Sequence, residues 1–330
     1  MRSLQKDTSK TRPGMLLGRF LLAFLLMIGF LLGGCATSKH SISKEDNEKI
    51  RIITTVFAAY DFTREIAGSH AEVSLLIPPG AELHAFEPTP QDILEIQGCD
   101  LFIYVGGESD AWIADILSAV DTAQVRVLRL MDLVELLNED ESVLVDPLSG
   151  SEEELESDEH VWTTPRNAKL ITRAISENLI LLDPDNASQY EANTQAYLSV
   201  LDELDREFRD IVLNAQRSTL VFADRFPFAY FAQEYGLQCY AAFPGCSQAT
   251  EPSALTVVAL IDLVRAEGIP VVFYRELSNR SLADVVAQEA GAQALLLHSC
   301  HNISRQDFEQ GASYVSLMRA NAENLKVALN

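Results

Sequence analysis

Two stretches of this chain share one rhythm of apolar runs and amphipathic segments. In the first, Ile50-Arg-Ile-Ile-Thr-Thr-Val56, Glu72 to Ile77, Leu101-Phe-Ile-Tyr-Val105 and Val125 to Leu130 are short and rich in β-branched residues. Such runs predict buried strands. Tyr60 to Ala67, the segment through Leu94 and Ile96, and Ala111 to Val120 carry helical spacing between them. In the second, Thr219-Leu-Val-Phe222, Gln238 to Phe243, Pro270 to Tyr274 and Ala294-Leu-Leu-Leu297 predict strands, with helices over Tyr230 to Tyr235, Ala254 to Ala266 and Leu282 to Ala290 stopped by Gly236, Gly268 and Gly291. A last helix is predicted over about Tyr314 to Ala328. Strands that alternate with helices imply parallel βαβ units. The expected class is therefore α/β, with two lobes, each a mainly parallel sheet flanked by helices.

Between the two stretches, Leu170, Ile171, Ala174, Ile175 and Leu179 recur at helical spacing behind Thr163-Thr-Pro165. After Asp183-Pro184 a longer pattern, about Asn186 to Ala215, aligns Tyr190, Tyr197, Leu201, Leu204, Phe208, Ile211 and Val212 on one side. A helix of about thirty residues spans roughly 45 Å, too long for a crossover within one lobe and suited to a rigid spine between two. The expected division is a first lobe over 50–182, a spine over 183–216 and a second lobe over 217–330.

The amino-terminal residues change the picture of where the chain works. Arg2, Lys6, Lys10, Arg12 and Arg19 precede an apolar run, Phe20 to Leu32, which is short for a membrane span. Leu32-Gly-Gly-Cys35 has the form of a bacterial lipobox, which makes residues 1–34 a signal peptide, Cys35 the lipidated residue and 35–49 a polar tether. The expected location is the outer face of the cytoplasmic membrane. The formal charge of the 330-residue chain is −23, which makes nucleic acid a poor partner and a cation a good one. The acidic run Ser149-Gly-Ser-Glu-Glu-Glu-Leu-Glu-Ser-Asp-Glu159 reads as a solvated surface loop, with a cation-concentrating apron near a site mouth as the alternative. Besides Cys35 there are Cys99, Cys239, Cys246 and Cys300, and four cysteines allow three full pairings. Cys246 in a Pro-Gly-Cys-Ser turn and Cys300 between two histidines are expected to approach each other, as a disulfide or as soft ligands.

The candidate chemistry lies at the predicted strand ends. His84-Ala-Phe-Glu-Pro-Thr-Pro-Gln-Asp-Ile93 follows a strand and opens a helix, with Pro88 and Pro90 stiffening the loop. In open α/β sheets ligands bind at that edge. His160, His298 and His301 join it, and Asp224 and Glu276 also fall at strand ends. Imidazoles with a carboxylate suit Zn²⁺, at about 2.0–2.2 Å per bond; further oxygen ligands would admit Mn²⁺, the lesser candidate. Neither HExxH nor CxxC occurs, and Gly106-Gly-Glu-Ser lacks the spacing of a phosphate loop. Trp162 reads as core, and Glu276 as an ion-pair partner.

These motifs resemble those of the zinc/manganese solute-binding lipoproteins of ABC importers. The His84 stretch matches the family's first metal motif, and His160-Val-Trp its second. The third ligand precedes a Tyr-Phe at a helix start; here Asp224-Arg-Phe-Pro-Phe-Ala-Tyr-Phe231 puts Arg225 closest to that position, and the role moves to Asp224. The fourth ends the strand after a Gly-Ala pair, which Gly291-Ala to His298 places at His298, with His301 in reserve. The resemblance implies a monomeric extracytoplasmic receptor, without enzymatic activity, that takes one Zn²⁺ between its lobes and delivers it to a membrane permease. A zinc hydrolase would need an open metal position and a placed base, and Glu276 is the candidate for that base. A surface adhesin with a structural metal is the other alternative.

Overall fold

The computed structural model describes residues 49–81, 86–119, 125–138, 157–243 and 252–330. The signal peptide, Cys35, His84, Cys246 and most of the acidic run lie outside them. Among the described residues no helix is long and apolar enough to cross a membrane.

The two predicted βα series form two separate four-stranded sheets. In the first half, β1 (Ile50–Thr54), α1 (Phe57–Ala67), β2 (Ala71–Leu75), α2 (Pro90–Gln97), β3 (Leu101–Tyr104), α3 (Ala111–Ala119) and β4 (Arg126–Arg129) give a sheet in the order β2-β1-β3-β4. In the second, β5 (Thr219–Arg225), α6 (Ala229–Tyr235), β6 (Gln238–Phe243), α7 (Ala254–Glu267), β7 (Val271–Tyr274), α8 (Ser281–Ala290) and β8 (Gln293–Leu296) give β6-β5-β7-β8. Every pair is parallel. Both orders reverse direction beside their first strand, where doubly wound sheets hold ligands.

α4 (Pro165–Leu182) and α5 (Ala187–Leu213) join the halves. α5, the predicted spine, has 27 residues and buries Tyr190, Thr194, Tyr197, Leu198, Leu201, Leu204, Phe208 and Ile211. That spacing of three and four sets one apolar stripe inward. The last helix, α10 (Tyr314–Leu329), crosses back onto α5 and α1 and follows a short α9 (Arg305–Glu309) that periodicity does not predict. The largest apolar cluster therefore runs without a break through both halves, from Ile52, Phe57 and Trp162 to Leu204, Phe222 and Leu325.

The halves also share hydrogen bonds. Val56, the residue before α1, offers no side-chain cap. The first N–H groups of a helix need partners, and here Phe57 N–H donates to the His301 carbonyl (2.9 Å) and Ala58 N–H to the Cys300 carbonyl (3.1 Å). The turn after β8 thus serves as the cap of α1, the first of the described helices.

Candidate metal centre

His160 stands just before α4, whose N-terminus is capped by Thr164 and opened by Pro165. The ring is buried, 2% exposed. Asp158 Oδ1 lies 2.9 Å from its Nδ1 and 2.6 Å from its backbone nitrogen. A carboxylate there receives Nδ1–H, which fixes the tautomer and turns the lone pair to Nε2. This is the arrangement by which carboxylates raise the basicity of metal-binding imidazoles. Asp158 and Glu159 are each 1% exposed, so the acidic run is not solvated at its end; its last two residues fold inward beneath the histidine.

Two further contacts hold this segment. Tyr230, from the second half, donates its hydroxyl to the Asp158 carbonyl at 2.9 Å. Glu159 Oε1 accepts Ser109 N–H at 2.8 Å from the loop after β3. The Glu159 side chain fills the space where a Cβ on Gly107 would stand, 2.2 Å away, so that position tolerates only glycine without rearrangement. Asp110 lies in the same loop and receives Val105 N–H and Gly106 N–H through Oδ2. Burial, with a smaller push from Glu159, lifts its carboxyl to about 7, although the two N–H groups pull it down. The native state then keeps a proton that the unfolded chain releases above about pH 4, so stability is lost as pH rises from there to about 7. Asp110→Asn retains an acceptor without the charge. Urea unfolding of metal-free protein should show the variant gaining on the wild type, on the order of 2–4 kcal/mol, between about pH 4 and about pH 7, with no further gain above.

The second-half residues divide into two groups. The His301 ring lies 5.0 Å from that of His160, at 88°, and 5.1 Å from Trp162. Trp162 is fully buried, as its reading as core requires, and its Nε1–H donates to the Ser299 carbonyl at 2.8 Å. Glu276 accepts Ser299 N–H (2.7 Å), the Ser299 hydroxyl and His301 N–H (3.3 Å). It stands 3.8 Å from His298 Nδ1, so it braces the turn as well as facing an imidazole. Cys300, at φ +59°, holds the left-handed bend of the turn, and Leu277, next to Glu276, has φ +58°. Cys300 is a free, buried thiol, as are Cys99 and Cys239.

His298 is arranged differently. Cys300 N–H approaches its Nδ1 at 3.0 Å, and its buried Nε2 has no hydrogen-bond partner among the described residues. Asn321 on α10 grips the His298 backbone from both sides, accepting its N–H and donating to its carbonyl. Asp224 sits within β5, where the register shifts between Phe222 and Arg225. Its carboxylate accepts the backbone N–H groups of Arg225 and Arg275 and pairs with the Arg275 guanidinium at 3.3 Å. Among the described residues, no three His, Cys, Asp or Glu side chains form a group that could hold a metal. His160 and His301 are the expected site residues that the structure brings together. Asp158 escaped the sequence reading because it lay within a run of acids; its place two residues before a histidine was the available signal.

Two parallel sheets, a bridging helix and facing imidazoles between the halves define a two-lobed α/β binding protein. The model of the family "Zinc-uptake complex component A periplasmic" matches residues 52–328, and the chain belongs to that family. It is 29% identical over 324 residues to the high-affinity zinc uptake system protein ZnuA of Bacillus subtilis, covering 94% of this chain and 97% of that one. It is 30% identical over 287 residues to the zinc-binding lipoprotein AdcA of Streptococcus pneumoniae, covering 87% of this chain but 57% of that longer protein. Among solved structures, the Zn(II)-bound ZnuA-like domain of Streptococcus pneumoniae AdcA superposes with a TM-score of 0.71 at 29% identity, over 85% of this chain and 99% of that domain. The metal-dependent lipoprotein YcdH of Bacillus subtilis gives 0.72 at 27%, over 85% and 99%.

Proposed function

We propose that this chain is the extracytoplasmic receptor of an ABC importer, which captures one Zn²⁺ in the crevice between its halves and presents it to a permease. The observation that carries the reading is the pair of buried imidazoles, His160 and His301, set 5.0 Å apart with Asp158 behind one of them. Membership of a zinc-uptake family and the similarity to zinc-binding relatives support it. The proposed ligands are His84, His160 and His301. His298 stands in reserve, its Nδ1 taken up by Cys300 N–H, and Asp224 lies outside this set, paired with Arg275. His84 is included on its sequence motif; of the described residues nearest it in the chain, Ala81 and Phe86 pack on the apolar core and the Ala81 carbonyl accepts from Asn302, next to His301. Nitrogen-rich ligation favours Zn²⁺ over Mn²⁺. Anchorage through lipid on Cys35 and a monomeric state belong to the same proposal.

Titration of zinc against a competing chelator tests it. One-to-one binding in the nanomolar range is expected, with no loss of fold on chelation, and affinity should fall as pH drops below about 6.5, where imidazole protonates. His70, which packs edge-on against Tyr190, supplies the control. If His70→Ala weakens binding as much as His84→Ala, His160→Ala and His301→Ala, the ligand assignment is lost.

A further inference from the structure

Asn302 is 5% exposed, and each of its polar atoms is engaged. Its Nδ2 donates to the carbonyls of Pro78 (3.0 Å) and Ala81 (2.7 Å), both in the first half, and its Oδ1 accepts Ile303 N–H (2.8 Å). Ile303 in turn accepts Gly80 N–H at 2.8 Å. With the α1 contacts to the Cys300 and His301 carbonyls and the Trp162 contact to Ser299, residues 299–303 receive or make at least six hydrogen bonds with described residues of the first half. From the second half, Glu276 holds the same turn through Ser299 and His301.

We infer that Asn302 is a positioning residue for the metal, fixing His301 to the first half so that its imidazole keeps its place beside His160. The inference rests on His301 being a ligand. A turn fastened only to the second half would leave the spacing of His301 from His160 to the packing between the halves. Fastened through Asn302 to Pro78 and Ala81 as well, it is held to the half that carries His160, which keeps the two imidazoles in register for the metal. Asn302 therefore acts on how long the metal stays, with no contact to the metal itself.

Asn302→Asp keeps the shape, removes both amide donors and sets a carboxylate against two carbonyls. Zinc dissociation, followed by stopped-flow transfer to a chelator, should accelerate 10- to 100-fold, the range found when groups behind metal ligands are altered. Asn302→Ala, which adds no charge, should accelerate it at least about fivefold, within the same reasoning. Asn321→Ala, at the equivalent grip on His298, should lower the melting temperature while leaving dissociation within about twofold of wild type, as expected for a group outside the ligand shell. In a His301→Ala background the Asn302 effect should vanish, because the coupled group is gone. Dissociation within about twofold of wild type in both Asn302 variants overturns the inference, as does an undiminished effect in the His301→Ala background. If His301→Ala itself leaves zinc binding unchanged, the ligand assignment falls and this inference with it; if His301→Ala weakens binding while the Asn302 variants do not, only the inference falls.

Discussion

His160→Ala is expected to weaken zinc binding by at least about 100-fold while the protein stays folded. Substitution of a group that merely orients a ligand costs about 10–100-fold in affinity, so removal of the ligand itself should cost no less. Asp158 supplies the internal standard. It contacts His160 at both Nδ1 and the backbone nitrogen, and Asp158→Asn should fall in the 10–100-fold range by allowing the wrong tautomer. The order matters more than either value. Were Asp158→Asn the more damaging change, the carboxylate would have to bind metal directly, and the reading of His160 Nε2 as the donor would fail. Competition titration of both variants against the same chelator, with circular dichroism to establish the fold, makes the comparison.

Trp162→Ala should be the most destabilising single change in the molecule. The indole is fully buried in the cluster that spans both halves. Its Nε1–H donates to the Ser299 carbonyl and its own carbonyl accepts the Tyr314 hydroxyl, so it joins α4, the 298–303 turn and α10. Truncation of a buried aromatic costs about 3–5 kcal/mol, and leaves the Ser299 carbonyl without its donor. At about 2–4 °C per kcal/mol for a chain of this size, the melting temperature should drop by roughly 6–20 °C. Trp162→Phe restores most of the volume and should recover more than half of that loss, on the order of 2–3 kcal/mol. A melting temperature within about 3 °C of wild type for Trp162→Ala would mean that the halves do not depend on this junction.

Strand existence and order of appearance were legible in the chain because β-branched runs and glycine stops report local preference. The parallel pairing followed from alternation, and the spine from its length and one-sided apolar stripe. The rest depended on contacts far apart in sequence. No local pattern shows that the donors of Phe57 and Ala58 find carbonyls at Cys300 and His301, or that Tyr230 reaches Asp158. Asp224 looked like a strand-end carboxylate, yet β5 continues through Arg225 with a register shift, and Arg275 from the neighbouring strand end pairs with it. His298 and His301 are three residues apart on a turn whose left-handed Cys300 sets which ring faces His160, and spacing alone does not encode that bend.

The apolar and ionic features around His160 coincide. Asp158 is buried with His160 as the acceptor of its Nδ1–H, and Glu159 is buried beside Gly107, which leaves room for its side chain. The turn after β8 is bonded to both halves because its carbonyls complete a helix that has no side-chain cap of its own.

X-ray absorption at the zinc edge, on protein loaded with one equivalent of Zn²⁺, addresses the central claim most directly when combined with anomalous diffraction from the same sample. The account predicts one metal position with imidazole nitrogens of His84, His160 and His301 at about 2.0–2.1 Å. A zinc ion bound through Asp224, or located away from His160 and His301, would contradict it.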